Sequence, residues 1–369
     1  ILAAMLAIIG LSMLLPILVA FIYKEPDLSG YFLSMIICFF IAVPIWLMTR
    51  KSRKLSSRDG FALVTFAWII VAVAGSLPFY LTGAIPNYTD AWFESMSGVT
   101  TTGASILGNS DTLPNLANGI ESLPKGILFW RSFLQWIGGM GIIVFTIAIL
   151  PLLGVGGVQL FKAEVPGPVA DKIKPRVKET AKILWMVYVG FTALQMTLLG
   201  FAGMPWFDAI CHAFTTMPTG GFSTQNASIA AYSNPLIHYI IIFFMFIAGI
   251  NFALHFRAIT GRFSTFFKDY ELKVYFFTVV IATTLIFLSI ASSSSEWSHD
   301  NFIISLFQSI AIMTGTGYAS ADYELWPYFC QQAIFFLMFF GAMGGSTSGG
   351  MKLTRIILLV KYAATETRR

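Results

Sequence analysis

Three short stretches carry the residues best suited to chemistry: Thr100-Thr101-Thr102-Gly103-Ala104-Ser105, Met217-Pro218-Thr219-Gly220-Gly221-Phe222-Ser223 and Thr314-Gly315-Thr316-Gly317-Tyr318-Ala319-Ser320. Each follows a short run led by an aspartate, at Asp90, Asp208 and Asp300. Threonine hydroxyls and backbone carbonyls are neutral, hard oxygens. Glycine lets the backbone take dihedrals that would crowd a side chain. Oxygens presented this way can replace the hydration shell of a cation. None of the three stretches contains Asp or Glu, which favours a weakly held monovalent ion over a divalent one, whose sites use carboxylates. Thr102-Gly103, Thr219-Gly220 and Thr316-Gly317 register with one another on this reading. The competing explanation, that small residues merely let helices approach closely, is preferred for Gly138-Gly139-Met140-Gly141.

Other chemistry is hard to find. His212, His238, His255 and His299 are scattered, with no HExxH motif and no nucleophile–base spacing. Cys38, Cys211 and Cys330 lie far apart and read as small buried hydrophobes. An enzyme is disfavoured, and no organic cofactor is expected.

The elements that must hold the three stretches are apolar. The chain is 56% hydrophobic and 11% charged, against about 25% charged in a soluble domain. Apolar runs at 1–23, 31–49, 61–83, 127–153, 183–203, 235–256, 274–291 and 328–343 suit membrane spans, for which about 20 residues cross the hydrocarbon. All of the 23 Lys and Arg except Lys24, Lys125 and Arg131 fall in four connections, around 50–58, 162–182, 257–273 and 352–369. The positive-inside rule makes these cytoplasmic. Glu25, Asp27, Asp90, Glu94, Asp111, Glu121, Asp208, Glu296, Asp300, Asp322 and Glu324 then lie on or dip from the opposite side, where an acidic mouth would concentrate cations; ordinary loop solvation is the equal alternative.

After two leading helices (1–58), one pattern recurs: apolar span, short aspartate-led run, Thr–Gly stretch, apolar span. It gives helix–pore loop–helix units at 59–153, 180–262 and 263–369, with a cytoplasmic connection at 154–179. The aspartate-led runs are too short to cross a bilayer and must pack inside protein. If helical, each turns its carbonyl end toward the Thr–Gly stretch, which favours a cation there. The third unit is expected to have a broken inner helix. Gly341-Ala342-Met343-Gly344-Gly345-Ser346-Thr347-Ser348-Gly349-Gly350 holds five glycines in ten residues, costly in a helix. Irregular backbone at membrane depth is tolerated where it borders an aqueous path, so this loop is the expected gate. Lys352 beside it is expected to snorkel to the interface, the alternative being that it holds the loop closed.

These motifs resemble the TrkH family of bacterial potassium-uptake proteins, within the superfamily that also holds KtrB and fungal Trk. SGVTTTGAS (97–105) and TTMPTGGFST (215–224) look like its first and second pore loops, RSFLQWIGGMGIIV (131–144) like its first inner helix, and GGSTSGGMK (344–352) like the broken helix of its third unit. FKAEVPGP (161–168) resembles the cytoplasmic segment after the first unit; with the two leading helices it favours TrkH over KtrB.

The resemblance implies an all-α polytopic fold, with units arranged pseudo-symmetrically around a central pore. It implies K⁺ as the transported ion, a filter at Thr101, Thr102, Gly103, Pro218, Thr219, Gly220, Gly315, Thr316 and Gly317, and a gate at Gly344, Gly345, Ser346, Thr347, Ser348, Gly349, Gly350 and Lys352. A homodimer in the bacterial inner membrane and a cytoplasmic ring of nucleotide-binding, TrkA-like regulatory subunits are further implications. The family has four units and this chain ends at Arg369 after three; with no initial Met, it reads as a piece of a longer protein. The rival within transport is a carrier coupled to H⁺ or Na⁺. Such carriers use inverted repeats and membrane-embedded carboxylates, whereas these repeats share one orientation. A non-conducting scaffold is the third reading.

Overall fold

The computed structural model describes residues 1–26, 28–49, 57–108, 119–149 and 177–367. The basic residues at 50–54, 162–176 and 368–369, the acidic Asp27 and Asp111, and the 161–168 segment lie outside them. Among the described residues the elements are helices and turns, with one isolated strand-like pairing between Phe340 and Met351.

The described residues form two compact units. One comprises residues up to 149 together with 177–182 and 222–226; the other comprises 183–221 and 227–367. In the first, α1 (Leu2–Ser12) and α2 (Leu14–Ile22) continue through Met13, whose backbone stays helical, making a 21-residue apolar span. α3 (Leu28–Thr49), α4 (Ser57–Leu81), the short α5 (Tyr88–Val99) and α6 (Lys125–Ile149) follow. α4 packs on α5 and α6, while α1 packs on α3 and α4. Phe21, Phe40 and Met48 are 69%, 78% and 85% exposed, while Met13, Tyr31 and Cys38 are buried. Helices apolar on both faces belong in lipid. The Glu25 carboxylate accepts hydrogen bonds from the Lys125 and Gly126 amides, filling the unsatisfied positive end of α6.

The second unit contains α7 (Val177–Phe201) from residue 183, α8 (Trp206–Thr216), α9 (Pro235–Ala248), α10 (Phe252–Ile259), α11 (Phe263–Lys268), α12 (Tyr270–Ser294), α13 (His299–Met313), α14 (Tyr328–Leu337) and α15 (Leu353–Glu366). Its core joins Ile241, Met245, Tyr275, Ile303, Phe307 and Tyr318. Residues 182–201 and 270–294 are long and apolar enough to cross a membrane, as are 2–22 and 28–49.

Two apolar runs are not the single spans that hydropathy suggested. The run at 235–256 is two helices bent by 101°. Gly249 ends α9 against the Tyr275 hydroxyl, where a Cβ would collide. Asn251 then starts α10 by accepting from the Ala253 amide at 2.8 Å, as N-cap residues do. The run at 328–343 is helical only to Leu337, and helix resumes at Leu353.

Candidate functional site

α5, α8 and α13 bear Asp90, Asp208 and Asp300 in their first turns, where a carboxylate complements the helix dipole. Their C-terminal ends close in one repeated geometry. The amides of Thr101, Thr219 and Gly315 donate to the carbonyls three residues back, Gly98, Thr216 and Ile312, at 3.0, 2.9 and 3.0 Å. Those of Thr102 and Gly220 donate to the carbonyls five back, Ser97 and Thr215, both at 2.9 Å. Such paired bonds are a Schellman closure, which needs a left-handed residue just past the helix. Thr101, Thr219 and Gly315 supply it with φ of 54°, 56° and 72°. Left-handed φ recurs two residues later at Gly103 (77°), Gly221 (77°) and Gly317 (73°).

This geometry corrects the register expected for the second stretch. Gly103 and Gly317 correspond to Gly221, and Thr102 and Thr316 to Gly220. Pro218 falls opposite Thr100 and Thr314, one residue before the left-handed pair. The hydroxyls agree: Thr100 meets Thr102 at 2.8 Å and Thr314 meets Thr316 at 2.7 Å, both inside their own stretch. The second stretch carries Pro218 and Gly220 at those positions. With Gly220 and Gly221 adjacent, sequence matching could not tell which takes the left-handed place.

A β-branched residue at positive φ is an outlier, and Thr101 and Thr219 both sit there. Strain of this kind costs about 1–3 kcal/mol per residue and persists where surrounding structure enforces it. For Thr219 the enforcement is packing: its side chain is 2% exposed. Gly221 is required twice over, by its φ and because a Cβ there would collide with the Thr316 carbonyl. The second and third stretches thus meet backbone to backbone. Behind them the buried Tyr318 phenol bonds the Thr215 and Thr216 hydroxyls and donates to the His212 carbonyl at 3.2 Å. His212 itself makes a 2.8 Å bond from Nδ1 to the Asp208 carbonyl.

The glycine-rich loop lies against the second unit's stretches. A Cβ on Gly315 would stand 3.7 Å from the Gly349 amide. The Thr347 hydroxyl donates to the carbonyls of Met217, at the end of α8, and Ala248, at the end of α9, at 2.9 and 3.3 Å. Met343 donates to the Gly249 carbonyl at 3.0 Å, and Gly345 accepts from Phe252 at 3.1 Å, so the α9–α10 bend is where the loop docks. Glu271 of α12 accepts through Oε1 from the Gly344 amide (2.9 Å) and from the amide and hydroxyl of Thr354 (3.1 and 2.5 Å). The Lys352 ammonium donates to the Ser348 carbonyl, turning into the loop where snorkelling was expected. Ser346 closes on Met343, and the Ser348 hydroxyl accepts from Ala342 at 3.1 Å.

In the first unit, Gly138 faces the Val99 carbonyl so closely that a Cβ would overlap it, a helix contact as expected. Beside the first stretch Glu94 on α5, expected with the acidic mouth, is instead buried and paired at 2.5 Å with the equally buried Arg131 of α6. Among the described residues no group of three or more His, Cys, Asp or Glu could hold a metal ion.

The comparisons with known proteins agree on one group. The TrkH family model, a cation transport protein, matches residues 30–369. The Trk system potassium uptake protein TrkH of Vibrio parahaemolyticus is 40% identical over 373 residues, covering 99% of this chain and 75% of that protein. That of Escherichia coli K12 is 41% identical over 368 residues, covering 97% and 73%. The crystal structure of the potassium transporter TrkH from V. parahaemolyticus superposes with a TM-score of 0.85 at 38% identity, covering all of this chain and 74% of the other.

Proposed function

The chain belongs to the TrkH family of cation transport proteins, a non-enzymatic membrane family, and from that premise we propose that it serves potassium uptake through a gated, channel-like pore. The observation that carries the proposal is the repeated backbone turn at 101–103, 219–221 and 315–317, with left-handed residues at its first and third positions. Alternating the hand of successive residues turns their carbonyls toward a common side. In a strand they would point to alternate sides. On this reading the carbonyls of the three turns, each at the negative end of its own helix (α5, α8 or α13), form a cation filter. Thr101, Thr102 and Gly103 contribute from the first stretch, Thr219, Gly220 and Gly221 from the second, and Gly315, Thr316 and Gly317 from the third.

The loop from Gly344 to Gly350, with Lys352, is the obstruction below the filter. Its bonds to Met217, Phe252 and Glu271 hold it against the second and third helix–pore loop–helix units. The domain reading is two leading helices followed by three helix–pore loop–helix units. The protein resides in the bacterial inner membrane with its basic connections cytoplasmic, forms a homodimer, and takes its regulation from a cytoplasmic nucleotide-binding partner, as the family resemblance implies.

The test is rubidium-86 uptake into potassium-loaded liposomes holding the intact protein. Competition by external potassium but hardly by sodium supports the pathway. Equal competition by sodium, or uptake that requires a proton or sodium gradient, would replace it with the coupled-carrier reading.

A further inference from the structure

Glu94 and Arg131 are the charged pair that the ion path itself does not use. Arg131 sits within the apolar run of α6, and Glu94 on the short α5. Both side chains are at most 3% exposed. Burying two charges is costly, and a buried pair contributes little net stability compared with apolar residues of the same volume. Their partners suggest what the pair does. Glu94 accepts from the Ser105 hydroxyl at 3.0 and 3.2 Å and from the Ile106 amide at 3.2 Å, two and three residues beyond Gly103. Arg131 gives Nε to Glu94 and Nη1 to the Ser223 carbonyl at 2.9 Å, while its guanidinium lies 3.6 Å over the Phe222 ring. One turn along α6, Gln135 accepts from the Phe222 amide at 3.1 Å. Ser97 of α5 also donates to the Ala104 carbonyl at 2.6 Å.

We infer that Glu94 and Arg131 are positioning residues for ion selection, a buried ionic clamp that fixes the segments leaving the first and second filter turns to one another. The inference rests on the filter reading above. The clamp sets ion preference because both turns depend on backbone placement and no rigid side chain holds the ion. The planar guanidinium is essential: it points one donor at a carboxylate and another at a carbonyl while stacking on a ring, which an ammonium cannot do.

The experiment measures how much more sodium than potassium is needed to halve rubidium-86 uptake by the intact protein in liposomes. Arg131→Lys keeps the charge and loses the fork; discrimination is expected to fall about ten-fold, the worth of one charge-assisted hydrogen bond, while the yield of folded protein changes little. Ser105→Ala removes a hydroxyl that donates to Glu94 and accepts from the Leu107 amide at 3.1 Å, leaves both charges in place, and is expected to lower discrimination about three-fold. Gly103→Ser alters the filter itself and serves as the reference. Loss in Gly103→Ser with parental discrimination in both Arg131→Lys and Ser105→Ala would overturn the clamp and leave the filter standing. Parental discrimination in all three would overturn both. Should Arg131→Lys fail to fold, Ser105→Ala decides alone: a loss supports the clamp and parental discrimination refutes it.

Discussion

Glu271 offers the sharpest handle on the loop, because one carboxylate oxygen receives three donors from the loop and the helix after it. Replacing Glu271 by Ala removes the bonds to the Gly344 amide and to the amide and hydroxyl of Thr354. A hydrogen bond to a charged group is worth about 1.5–3 kcal/mol net. Glu271 is half-buried, so water recovers part of what is lost. A net loss of about 2 kcal/mol for the docked loop is a sensible figure, and it shifts the balance between docked and released loop about thirty-fold. The assay is unstimulated rubidium-86 uptake at matched amounts of folded protein, judged by gel filtration. Uptake is expected to rise by an order of magnitude or more in Glu271→Ala. It should rise less in Glu271→Gln, whose amide oxygen still accepts. Parental uptake in a well-folded Glu271→Ala protein would refute the idea that loop docking obstructs the path.

The same reasoning yields further expectations. Deleting Gly345 through Gly350 should raise unstimulated uptake at least as far as Glu271→Ala does; low uptake in a folded deletion protein would move the gate elsewhere. Gly221→Ala sets a Cβ against the Thr316 carbonyl at positive φ, so sodium should compete far better in the uptake assay, whereas Gly83→Ala, a left-handed glycine in open space, should leave competition unchanged. Tyr318→Phe removes the phenol shared by Thr215, Thr216 and His212; losing about 1 kcal/mol of support should lower discrimination about five-fold with normal folding, and parental discrimination would make that network ornamental to selection.

Much of this was legible in the sequence because it depends on local rules. The short aspartate-led runs became α5, α8 and α13 within a residue or two of their expected ends, since each begins at an acidic first turn and stops where Thr and Gly cluster. The glycine-rich segment after Leu337 left the helix for the reason its composition gives. The misses have physical causes. The second stretch registers one residue later than its Thr–Gly pair suggested, because only the helix closure tells Gly220 from Gly221. The bend at Gly249–Asn251 hid inside an apolar run, although Asn251 could have been read as an N-cap. Glu94 and Arg131 are far apart in sequence and passed as ordinary charges. An arginine inside an apolar span was the available signal, since intramembrane charges seek partners.

The central claim is that the three turns hold the ion. Thallium, which replaces potassium and scatters anomalously, tests it in crystals of the intact protein. Anomalous peaks within coordinating distance of the carbonyls of Thr101, Thr102, Thr219, Gly220, Gly315 and Thr316, lost on exchange into potassium, are the expected result. Peaks confined to other parts of the protein, with these carbonyls bare, would contradict the account.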